Sequence, residues 1–162
     1  MNRSNILKLV LAVVLLSGAG FMFARFFRQD DGVSEKTYFY DLSEKKLFAT
    51  SRETLPPTRG LNGVEEDAVR AVVVAANGNP KDKAGRKIAY LEKYALEYKQ
   101  QLAKVRSGEA DPLPRNARNG FIFVKRVDDA EWHAMSSPEG EKILTEWNVA
   151  GPDGKYPAVC VP

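Results

Sequence analysis

Residues 9–22, reading LVLAVVLLSGAGFM, are apolar or small without exception. Extended to Ile6 and Ala24, the run holds about 19 residues, roughly 28 Å of α-helix, which matches the hydrocarbon thickness of a bilayer. Lys8 is the only charge inside and sits near one end, where its stem reaches the headgroups. This pattern predicts a membrane anchor over residues 1–28, with the span at about 6–27. Residues 29–36 read as a polar linker, and 37–162 as a soluble domain large enough for one core.

A cleaved signal peptide is the competing reading. Arg3 and Lys8 would supply its basic end, and Gly18-Ala19-Gly20 a small-residue cleavage site. The apolar run continues past that site through Phe21, Met22, Phe23, Phe26 and Phe27, which favours an uncleaved anchor. No cysteine follows the run, which excludes a bacterial lipoprotein anchor. Positive charge is nearly balanced on the two flanks. The short N-terminal tail favours a single pass through a bacterial inner membrane, with the domain outside the cytoplasm. Gly18, Gly20 and Ala24 would allow anchors to pack closely as a homo-oligomer.

The net charge of +3 does not describe the domain. Arg3, Lys8, Arg25 and Arg28 belong to the anchor; without them 20 basic residues face 21 acidic ones. A nucleic-acid partner is therefore not expected. Charge is uneven along the domain. Residues 81–126 hold 12 basic and 5 acidic side chains, and residues 127–162 hold 2 and 7. Either the two stretches compensate each other in the fold, or the first forms a basic face for an anionic partner such as lipid headgroups or a cell-wall polymer.

The domain reads as α+β, a mostly antiparallel sheet of five or six strands with two helices on one face. The runs at 37–42 and 47–50 flank a polar turn and predict a hairpin. Residues 51–67, with Pro56-Pro57, Gly60 and Gly63, read as loop. Residues 68–76 are the most apolar stretch and predict a central strand. Asn77-Gly78-Asn79-Pro80 is a turn, and 88–91 the returning strand. Residues 92–106 predict a helix on the spacing of Leu91, Tyr94, Ala95, Tyr98, Leu102 and Val105, ended by Gly108. Strands follow at 120–127 and 131–135. Ser137 and Pro138 then open a second helix that runs to about Trp147. The apolar end at 157–162 is placed to dock on the core.

The sequence assigns no catalytic, cofactor-binding or metal-binding residue. Glycine-loop phosphate motifs are missing, and one histidine with one cysteine suits a structural zinc site poorly. His133 and Cys160 are the only candidates for a Cys/His nucleophile pair, and neither carries a local signature. Cys160 alone cannot form an intramolecular disulfide, and a small buried hydrophobe is the favoured reading.

Several stretches carry a resemblance: TYFYDL at 37–42, residues 63–76 with Val69-Arg70-Ala71, and IAYLEKY at 88–94. Glu131-Trp132 and SPEG at 137–140 add to it. Over 37–161 the chain resembles small membrane-anchored proteins from planctomycete-type bacteria, a group without assigned activity. Some carry cysteines in the turn occupied here by Asn77 to Pro80. The resemblance implies an exported, anchored domain and no chemistry. The function expected is a non-enzymatic extracytoplasmic domain that contacts another envelope protein or polymer. The alternative is a small envelope enzyme or an accessory subunit of a membrane complex.

The anchor has a direct test. The intact chain should sediment with membranes after lysis and require detergent for extraction; recovery of the uncleaved polypeptide in the aqueous fraction would refute the span.

Overall fold

In the computed structural model, residues 34–162 are described, and they form one compact unit, Ser34–Pro162. The expected span at 6–27, and with it Gly18, Gly20 and Ala24, lies outside the described residues. Among the described residues no helix is long and apolar enough to cross a membrane.

Among the described residues the architecture is α+β, with seven antiparallel strands and three helices. β1 (Lys36–Asp41) and β2 (Lys46–Ser51) form the expected hairpin. β3 (Ala68–Ala75) is the centre of the sheet. On one of its edges Arg70 to Ala75 pair with β4 (Arg86–Tyr94), with a bulge between Val72 and Val73, and Ala68 bridges to Thr58. The other edge is shared: Ala68, Val69 and Arg70 pair with β1, and Val73, Val74 and Ala75 pair with β7 (Ala158–Cys160). Beyond β4 lie β5 (Ile122–Lys125) and the two-residue β6 (His133–Ala134). The strand order is therefore β2-β1-β3-β4-β5-β6, with β7 joined to β3.

Register divides the side chains between two faces, because cross-strand partners point the same way. Phe48, Phe39, Arg70, Glu92, Val124 and His133 form one row across the sheet. The opposite face carries the main apolar cluster, Val69, Ala71, Val73, Ala75, Leu91 and Cys160, with Tyr38, Tyr40, Val127 and Trp132 packed against it. Cys160 is thus a buried core side chain, placed by the docking of the apolar end as a seventh strand.

α1 (Leu96–Ser107) begins later than its periodicity predicts. Residues 92–94 belong instead to β4, where Glu92, Lys93 and Tyr94 pair with Val124, Phe123 and Ile122. The reason is tertiary. The Arg70 guanidinium donates to Glu92 Oε1 at 3.2 Å and to Tyr94 Oη at 2.8 Å, which stabilises polar groups that burial on the sheet would otherwise penalise. Tyr98 is the only buried residue of α1 and packs edge-on against Tyr94 at 5.2 Å between ring centres. Gly108 ends the helix with φ 78°, the left-handed cap that glycine adopts without Cβ strain.

The count of two helices needs correction, since a short α2 (Arg115–Arg118) stands between the two expected ones and runs into a 3₁₀ turn at Asn119–Phe121. The strands expected at 120–127 and 131–135 are correspondingly shorter. α3 (Pro138–Glu146) follows its sequence signals: Ser137 Oγ accepts from the Gly140 amide at 3.1 Å, and Pro138 occupies the first turn. Ile143 buries its side chain completely. A Cβ on Gly140 would clash with the carbonyl oxygen of Ala134, so helix and strand touch through backbone.

Asp41 fixes the other end of the sheet. Fully buried, it accepts from the Glu44 amide at 2.8 Å, from Ser43 Oγ at 2.9 Å and from the Leu61 amide at 2.6 Å. These donors, the Glu44 amide foremost, hold its carboxyl below the usual carboxylate range despite burial.

Two substitutions check this account. Gly140→Ala should lower stability by on the order of 2 kcal/mol, measured by urea unfolding, because the clash is with backbone. Asp41→Asn should cost on the order of 2 kcal/mol at neutral pH. Asp41 has a folded pKa below its unfolded value, so its contribution is complete above about pH 4 and is lost as pH falls through the folded pKa. Acid unfolding of the Asp41→Asn variant should therefore show a shallower pH dependence than the wild type.

Candidate functional site: the Trp132 groove

Alternation along β4 and β5 places Leu91 and Lys93, and Phe123 and Lys125, on the same face of the sheet. Lys93 is paired with Phe123 and Lys125 with Leu91, so the two lysines are diagonal neighbours on adjacent strands. Trp132 precedes β6 and lays its indole between them. Lys93 Nζ is 4.5 Å from the ring centroid and Lys125 Nζ is 5.3 Å from it, both within cation–π range.

Lys125 is buried, and its ammonium donates to the carbonyl oxygen of Asp129 at 2.8 Å. Lys93 is half-buried. Its desolvation, and then the positive charge of Lys125, push its pKa below the ordinary lysine value. Neither lysine belongs to any ion pair among the described residues. Lys93 borders a groove of about 340 Å³ that is lined also by Pro57, Tyr94, Ala95, Phe123 and Trp132. Leu96, 64% exposed, stands at its rim. The arrangement offers an apolar lining beside Lys93, whose charge, like that of the buried Lys125, has no carboxylate partner among the described residues.

The uneven charge read in the sequence resolves into two parts. Compensation is real around Arg126, whose guanidinium binds Glu146, Glu139 at 3.0 Å and Asp129 at 3.0 Å. Those carboxylates raise the Arg126 pKa, Glu146 most of all, and Arg126 in turn lowers that of Glu146. Lys99 likewise reaches Glu66 at 3.3 Å. Lys93 and Lys125 are left out of this neutralisation.

His133 and Cys160 are not brought together. His133 pairs with Val124 on the face of Arg70 and Glu92, whereas Cys160 pairs with Val73 in the cluster of the opposite face. Neither lines the groove. Among the described residues, no three His, Cys, Asp or Glu side chains are grouped to hold a metal ion. The Trp132 site escaped the sequence reading because its lysines looked like ordinary strand and helix polar positions. The available signal was the alternation in IAYLEKY and FIFVKRV, which puts each lysine in phase with apolar residues.

No protein-family profile, no curated protein and no solved structure matches the chain.

Because the folded pKa of Lys93 is depressed, the folded state gains stability as pH rises between that value and about 10.4. Lys93→Met should accordingly be more stable than the wild type at pH 7, by under about 1 kcal/mol given partial solvent screening. The difference should shrink at alkaline pH, read from denaturation midpoints of the two proteins in parallel.

Proposed function

We propose that this chain is a membrane-anchored extracytoplasmic binding domain without catalytic activity of its own. It holds an acidic segment of another envelope protein in the Trp132 groove. The observation that carries the reading is the pair of lysines on one indole with no carboxylate to neutralise them. Holding two like charges close together on a half-buried surface is unfavourable in the free protein, and an incoming carboxylate would relieve it. The apolar lining from Phe123, Trp132 and Pro57 adds area that an extended peptide can cover. The apolar run at 6–27 supports the anchor. The resemblance noted above agrees with an exported, anchored domain. An enzyme built on His133 and Cys160 has no support in the geometry, since the two stand on opposite faces.

A photo-crosslinking residue at Leu96, in the full chain in intact cells, tests this. A partner carrying an acidic stretch at the crosslinked site is expected. Capture should fall by at least about tenfold with Lys93→Glu. Capture that is indifferent to the charge reversal, or none at all, would refute the groove as the docking site.

A further inference from the structure

The end of the sheet where β3 turns into β4 carries a second, differently built surface. Lys81 and Lys83 project from the hairpin tip and Arg86 opens β4. With Tyr38, Pro80 and Val161 they line an open cleft of about 770 Å³. Arg86 is held rigidly there. Its guanidinium donates to Tyr38 Oη and, at 2.7 Å, to the carbonyl oxygen of Pro80, while its buried Nε has no partner. Among the described residues, none of these three cations forms an ion pair. The one carboxylate in the tip, Asp82, is already engaged by Asn77 Nδ2 at 2.7 Å and by the amides of Ala84 and Gly85.

Apolar side chains stand exposed beside these cations. Tyr156, Val159 and Val161 are 62%, 57% and 51% exposed. They belong to the segment that forms β7, which meets the hairpin where the Tyr156 carbonyl lies against Gly78. Exposed tyrosine and aliphatic groups interleaved with unneutralised cations are what a headgroup region accommodates. Phosphates take the cations, and the apolar groups enter the interfacial layer. A soluble anionic partner would account for the charge and leave these apolar groups unexplained. The antiparallel register of β1 with β3 also brings the first residues of β1 to this end. The linker at 29–36 can span at most about 28 Å from an anchor to that point.

We propose that this end of the domain is a docking surface for an anionic bilayer, with lipid phosphodiesters seated in the cleft of Lys81, Lys83 and Arg86. The inference rests on the anchored reading and adds an orientation to it: the hairpin tip faces the lipid.

The test uses the full chain reconstituted into vesicles of phosphatidylcholine alone and of phosphatidylcholine mixed with phosphatidylglycerol. Flotation with both kinds checks the anchor; a chain that floats with neither removes the anchored reading and this inference with it. For a chain that floats with both, amide hydrogen exchange of residues 76–86 and 156–162 is compared. The inference expects exchange slowed by about tenfold or more in the anionic vesicles only, and the effect lost in the Lys81→Glu, Lys83→Glu double variant, whose changes are on exposed side chains. Equal exchange in the two vesicle types overturns it. Protection of the same residues by inorganic phosphate in neutral vesicles reassigns the cleft to free anions, and also overturns it.

Discussion

Every amide and carbonyl of a buried strand must find a partner, and β3 is where that requirement shapes the whole domain. Eight residues, AVRAVVVA, run through the centre with six of them fully buried. On the β4 side, Arg70 to Ala75 pair with β4, and Ala68 exchanges amide and carbonyl bonds with Thr58. On the other side the first half of β3 is satisfied by β1 and the second half by β7. A strand drawn from the start of the domain and one drawn from residues 158–160 are thus laid end to end along one edge. The two surfaces discussed above lie at opposite ends of the face that this pairing buries.

The polar groups on the sheet follow a rule of compensation, and its exceptions are informative. Glu92 is nearly buried and its carboxyl is pushed up by desolvation, with Arg70 opposing that shift. Tyr94, also pushed up by burial to about 12, completes the group. Arg126 is neutralised by three carboxylates. Against that background Lys93 and Lys125, and separately Lys81, Lys83 and Arg86, are conspicuous for what they lack. The balanced total charge of the domain conceals this, because balance in composition says nothing about pairing in space.

Legibility in the sequence varied with how local the deciding physics was. Ser137 and Pro138 started α3 by chemistry confined to one turn, and both the cap and the following helix could be read directly. The β1–β2 hairpin and the central strand were visible for the same reason, in alternation and in apolar density. Residues 92–94 were misread because Leu91, Tyr94 and Tyr98 fit a helical repeat, while Arg70, distant in sequence, decides for the strand. The short α2 between Pro114 and Asn119 has too few residues to set a period. Trp132 and its two lysines come from three separate segments, and only register brings them onto one face.

The split edge of β3 is closed by contacts of very different sequence separation. Val73, Val74 and Ala75 pair only with residues 158–160, more than 80 positions further on, so half of that edge depends on a long-range contact that is slow to form. Until Cys160 and its neighbours arrive, this stretch is an unprotected strand border of valines and alanines. A nascent copy stalled before residue 158 would present that border to any other extended chain, and its natural error would be exchange of the final strand between two molecules.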